Sequence, residues 1–142
     1  VAKKKILIVD DDSEMRLALH IRLKANNYDV GIAVDGVSAI AEARKTMPDL
    51  VLLDLGLPAG NGFAVLERMQ AIPALSSIPV IVVTGRDRHT NLARAEVAGA
   101  AVFLQKPVQN AELLSAINRL LNLPTEPSTT IYDIGDRIRT PA

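Results

Sequence analysis

The sequence predicts an α/β fold, a doubly wound, five-stranded parallel sheet with helices on both faces. Three observations predict it. Short, almost wholly apolar runs recur along the chain, as strands buried on both faces require. Between them the apolar residues shift to helical spacing. The two patterns alternate five times, which suits parallel strands joined by helical crossovers.

Ile6 to Val9 reads as the first strand, a continuous apolar run between three lysines and three aspartates. From Ser13, a candidate N-cap, Met15, Leu19 and Leu23 repeat at helical spacing with Leu17 and Ile21 beside them. That helix ends near Asn26 and Asn27. Val30 to Val34 is the second strand, broken by Gly36. Val37, Ile40, Ala41 and Ala43 open the next helix, and Met47-Pro48-Asp49 ends it. Leu50 to Leu53 is the third strand and runs directly into Asp54.

The Gly- and Pro-rich stretch LGLPAGNGF is a loop. A helix from about Phe63 to Met69 follows, with Phe63, Leu66 and Met69 on its apolar face. Pro79 opens the fourth strand, Val80 to Val83, which ends at Thr84. The His89 to Ala98 helix is weakly amphipathic and stops at Gly99. Val102 to Leu104 is the fifth strand, ended by Lys106-Pro107. A last helix, Ala111 to Leu121, offers Leu113, Leu114, Ile117, Leu120 and Leu121 for packing. Residues 1–123 are therefore expected to form one domain. Residues 124–142 read as a polar, proline-containing linker or tail, or as the start of a further region.

Composition narrows the function. Aromatic residues make up only 3% of the chain, so its core must be aliphatic. Acidic and basic residues balance at 16 each, which gives no electrostatic case for nucleic-acid or membrane binding. With no cysteine, disulfides, thiolate chemistry and Cys-ligated metals are excluded. No apolar run approaches the ~20 residues that span a bilayer, and VAKKKILIVDDD is no signal peptide. A cytoplasmic location is the expectation. Val1 in place of an initiator Met leaves open whether this is the whole gene product.

The chemistry gathers at the carboxyl ends of the strands, where ligands bind in such folds. Asp10, Asp11 and Asp12 follow the first strand, Asp54 the third, Thr84 the fourth and Lys106 the fifth. A parallel sheet brings these ends together. Crowded carboxylates repel unless a cation joins them, and an all-oxygen ligand set suits Mg²⁺ or Mn²⁺. An ammonium beside them can pair with an anion. Taken singly, each residue has an ordinary explanation: a turn aspartate, a strand-end threonine, a surface lysine. Their coincidence at one end of four strands favours a metal and anion site.

The segments ILIVDDDSEMR, PDLVLLDLGLPAGNGF, IPVIVVTGR and GAAVFLQKP resemble the receiver domains of two-component response regulators, over about Lys4 to Leu121. The resemblance implies a flavodoxin-like (βα)5 fold. Asp54 then matches the phosphoacceptor, and Asp10 and Asp11 the acidic pair that organises Mg²⁺. Gly56 matches the position whose backbone carbonyl ligates the metal. Thr84 matches the switch hydroxyl, Lys106 the lysine that pairs with the phosphoryl group, and Phe103 the switch aromatic. Pro107 matches a structural proline after a cis peptide. Asp12 matches a variable position and takes no role.

The implied function is a phosphorylation-dependent switch of bacterial two-component signalling. The phosphoryl group would come from a sensor histidine kinase, a histidine phosphotransfer protein or a small phosphodonor. The domain would be no conventional enzyme but a catalyst of its own phosphorylation and dephosphorylation, relaying the change to an output domain or effector. A homodimer is open, although Ala101 and Val102 stand where winged-helix regulators carry acidic residues for dimer salt bridges. Gly85 replaces the usual alanine beside the switch threonine, and Gly56 and Arg86 lie near the expected route of attacking water. Arg88, Arg94 and Arg119 read as solvated surface first and partner contacts second.

The alternative reading is a phosphate-independent interaction domain that kept the fold. It normally lacks at least one member of a set that is complete here. A nucleotide or flavin site would need a loop rich in Gly, Ser or Thr after the first strand, where this chain has DDDSEM.

Overall fold

The structure is a computed structural model that describes residues 3–58 and 61–122. The expected tail, residues 124–142, lies outside the described residues. Strands and helices alternate as β1 Lys5–Val9, α1 Ser13–Ala25, β2 Asp29–Ala33, α2 Gly36–Thr46, β3 Leu50–Leu53, α3 Asn61–Ala71, β4 Val80–Thr84, α4 Arg88–Ala98, β5 Val102–Gln105 and α5 Asn110–Asn122. The five strands form one sheet in the order β2-β1-β3-β4-β5, and every pairing is parallel. This is the doubly wound (βα)5 architecture that the alternation predicts. Among the described residues no helix is long and apolar enough to cross a membrane.

The apolar runs are strands because both of their faces are covered. Side chains alternate across the sheet. Leu7, Val9, Val51, Leu53, Val80 and Val82 face one cluster, which α2, α3 and α4 close with Ile40, Leu66, Met69 and Ala95. Ile6, Ile8, Leu50, Leu52, Ile81 and Val83 face the other, which α1 and α5 close with Leu19, Leu23, Leu113 and Ile117. A strand with only one covered face would show polar residues at every second position, and β1 after Lys5, β3, and β4 before Thr84 show none.

Several local expectations change. Asp12, not Ser13, caps α1: its Oδ1 accepts from the backbone N–H of Glu14 at 2.9 Å and of Met15 at 3.3 Å. β2 ends at Ala33, one residue short of the expected Val34, and Gly36 is already the first residue of α2, behind a capping box formed by Asp35 and Ser38. Leu17 and Ile21 stand on the outer face of α1, 60% and 59% exposed, because helical spacing puts them opposite Met15, Leu19 and Leu23. Val37 likewise points outward, 78% exposed, and Ala39, Ile40 and Ala43 form the buried stripe of α2.

Candidate functional site

Strand pairing sets the site. Val9 pairs with Leu53, so Asp10 and Asp54 leave adjacent strands side by side. The Asp54 N–H donates to the Val9 carbonyl at 3.0 Å, and the Asp10 N–H donates to Ala33 at 3.2 Å. The main chain is thus held in sheet geometry to the last residue before each carboxylate. Carboxylate oxygens of Asp10, Asp11 and Asp54 lie within 4.8 Å of one another. Asp10 and Asp54 are buried, whereas Asp11 is exposed and borders solvent.

Lys106 arrives from the far edge of the sheet. Thr84 in β4 pairs with Gln105 in β5, and the Lys106 N–H donates to the Thr84 carbonyl at 2.8 Å. From that anchor Lys106 Nζ donates to Asp10 Oδ2 at 3.0 Å and to Asp54 Oδ2 at 3.3 Å. The Lys106-Pro107 peptide that follows is cis.

The carboxylates are also oriented from their own loops. Asp10 Oδ1 accepts from the Asp12 N–H, and Asp54 Oδ1 accepts from the Gly56 N–H, both at 2.9 Å. An added Cβ at Gly56 would lie 3.3 Å from Asp54 Oδ1, so the absent side chain leaves that flank of the carboxylate open. Arg16 of α1, which the sequence reading did not single out, donates from Nη1 to the Asp10 carbonyl at 2.9 Å. The only sequence sign of this is a cation six positions after Asp10.

Burial raises Asp10 above its ordinary pKa of 3.8, opposed by its bonds to Asp12 and Lys106 and reinforced by the nearby Asp54 charge. Lys106 is also raised. Burial alone would lower it, but its hydrogen bond to Asp10 and the charges of both carboxylates together outweigh that. Three carboxylates share this end of the sheet with the one ammonium of Lys106 bonded among them. Such a donor set fits a divalent cation, with Asp10, Asp11 and Asp54 supplying hard oxygen ligands.

Thr84 is fully buried at the end of β4, and its Oγ1 accepts from the Arg86 N–H at 3.2 Å. Among the described residues no hydrogen bond joins it to the carboxylates. Phe103 is buried in the core cluster shared with α2, α3 and α4, paired in register with Val82.

The model for the response regulator receiver domain family matches residues 6–118. PilH of Pseudomonas aeruginosa is 37% identical over 117 residues, covering 82% of this chain and 97% of PilH. The response regulator PleD of Caulobacter vibrioides is 35% identical over 117 residues, which span 82% of this chain but only 26% of PleD. The chain thus spans about a quarter of that relative. The signal receiver domain of a DNA-binding response regulator from Colwellia psychrerythraea superposes with a TM-score of 0.79 at 29% identity, covering 85% of this chain and all of that one.

Proposed function

The chain belongs to the response regulator receiver domain family, and from that premise we propose that Asp54 is its phosphoacceptor, in a domain spanning residues 1–123. The domain is a phosphorylation-dependent switch of a two-component relay. It acts as acceptor and catalyst of its own phosphorylation rather than as a conventional enzyme. The observation that carries the assignment of Asp54 is the position of Lys106 Nζ, bonded to Asp10 and Asp54 at once.

In this reading a carboxylate oxygen of Asp54 attacks the phosphorus of a phosphohistidine on a sensor kinase or phosphotransfer protein. The new P–O bond forms as the P–N bond breaks, and the imidazole leaves with the electron pair. A small donor such as acetyl phosphate reacts in the same way, with acetate leaving. Lys106 releases part of its hold on the carboxylates and pairs with the incoming phosphoryl oxygens. Asp10, Asp11 and Asp54, with the Gly56 carbonyl, would hold Mg²⁺ or Mn²⁺, which when bound neutralises charge on the transferred group. Gly56 and the oriented Asp54 carboxylate keep the approach open. Thr84, whose hydroxyl accepts from the Arg86 N–H in its own loop, turns toward the added charge, and Phe103 takes up the space it leaves. The altered surface around α4, β5 and α5 is read by an output domain or effector protein in the bacterial cytoplasm.

Intact mass after incubation with Mg²⁺ and acetyl phosphate tests this. One added phosphoryl group is expected, absent from Asp54→Ala and absent when EDTA is added first. An equal gain in Asp54→Ala would overturn the assignment.

A further inference from the structure

We propose that Arg94 is a positioning residue of the switch, stacked on Phe63 so that it holds α4 in its resting place against a helix start locked to the backbone of Asp54. The inference rests on the reading of Asp54 as the acceptor.

The lock is at Gly62. A Cβ there would lie 2.5 Å from Leu55 Cα, 2.7 Å from the Leu55 carbonyl oxygen and 2.8 Å from the Asp54 carbonyl oxygen. The first turn of α3 therefore rests on the main chain of the acceptor itself, with no slack between them. Phe63 comes next in the chain and is 2% exposed. Its ring is packed in the core beside that contact, so the start of α3, Asp54 and Leu55 form one closely packed unit. Across the ring, Arg94 of α4 sets its guanidinium carbon 3.7 Å from the centroid.

α4 has little else to hold it. Ala95 is its one buried side chain among the described residues, with Leu92 and Ala98 partly covered. Val97 is 88% exposed. Its far end is seated at Gly99, where the Gln70 side chain of α3 occupies the space a Cβ would need. Its near end follows Thr84 across residues 85–87, and at Gly85 a side chain would meet nothing within 4 Å. The near end, with Arg88 and Asn91 half-buried, follows Thr84 through this open loop, and Arg94 is the side chain that ties α4 to Phe63.

Movement of this loop toward an occupied Asp54 carries α4 but leaves Phe63 where it is, so the stack is stretched. A contact made in the resting state and weakened in the occupied state opposes occupation by its differential worth. For a cation over an aromatic face at a partly exposed position, that corresponds to a shift of about two- to fivefold in affinity.

The test is the apparent dissociation constant for beryllofluoride, with saturating Mg²⁺, in the unsubstituted chain, Arg94→Ala and Arg94→Met. Methionine keeps apolar cover over Phe63 without the cation. Both variants are expected to bind about two- to fivefold more tightly. In a Phe63→Leu background, Arg94→Met is expected to add no further gain. Unchanged or weaker affinity in an Arg94→Met chain with an undisturbed melting temperature would overturn the inference. Absence of binding by the unsubstituted chain is a different result, which would overturn the acceptor reading and this inference with it.

Discussion

Lys106 Nζ lies 3.3 Å from Asp54 Oδ2, bridging the ends of β5 and β3 across β4. The same nitrogen is 3.0 Å from Asp10 Oδ2, and both carboxylates are buried. In the proposed reading the lysine serves two states. Without a phosphoryl group it offsets carboxylate repulsion, and with one it is already within reach of the new charge. Lys106→Met is expected to destabilise the metal-free protein by about 1–3 kcal/mol, because two buried acceptors lose a charged donor. Phosphorylation by acetyl phosphate should slow by about 10²-fold. Urea unfolding and time-resolved intact mass check the two effects separately.

Asp10 gives a pH dependence of unusual sign. Burial, the largest cause, raises its folded pKa above the ordinary 3.8. As pH rises from 3.8 toward the raised value, the unfolded chain loses this proton before the folded chain does. Stability from this group therefore falls across that window and stays low above it. Asp10→Asn should gain stability relative to the unsubstituted chain as pH rises from below 3.8 to neutrality in metal-free buffer. Added Mg²⁺ should stabilise the unsubstituted chain and narrow the gap. Lys106 has the opposite sign: raised above 10.5, it contributes stability in full below 10.5 and loses it as pH climbs through the raised value. Paired urea melts across pH, with and without Mg²⁺, provide the measurement.

Two glycines beside the site should respond differently to alanine. At Gly62 the new methyl would meet the Leu55 and Asp54 backbone, which cannot yield as a flexible side chain would. Gly62→Ala is expected to cost about 1–3 kcal/mol. At Gly85 nothing lies within 4 Å of the added carbon, so Gly85→Ala should stay within about 0.5 kcal/mol of the unsubstituted chain. Thermal and urea melts of the two variants decide this.

Thr84 is expected to matter more for response than for acceptance. Thr84→Ala removes the oxygen that accepts from the Arg86 N–H, at a cost of about 1 kcal/mol. The variant should still bind beryllofluoride with Mg²⁺. The side-chain NMR signals of Phe103 should then change far less than in the unsubstituted chain. An equal change in both would separate Phe103 from Thr84.

Much of this architecture is legible in the sequence because burial on two faces leaves an unmistakable trace. ILIV, LVLL and VIVV are continuous apolar runs of strand length, separated by stretches of helical spacing. The carboxyl ends of these runs also locate Asp10, Asp54 and Thr84, since a parallel sheet must gather them. What escaped was set within single turns or by how neighbouring segments pack. Helical spacing already sets Leu17 and Ile21 opposite Met15, Leu19 and Leu23, but the alternating apolar stretch of α1 supplies more apolar residues than its buried stripe holds and so disguised which of them face the core. The Asp12 cap was hidden by a serine of equal capping quality beside it. Gly62 read as ordinary loop composition, and only the packed chain reveals that it admits no side chain. The bond from Arg16 to the Asp10 carbonyl depends on how α1 leaves the sheet, which no local pattern encodes.

Reductive trapping identifies the phosphorylated residue itself. After treatment with acetyl phosphate and Mg²⁺, borohydride converts an aspartyl phosphate to homoserine, and peptide mass mapping locates the converted residue. Homoserine is expected at position 54 and at none of Asp10, Asp11 or Asp12. Conversion at one of those three, with Asp54 intact, would contradict the assignment of Asp54.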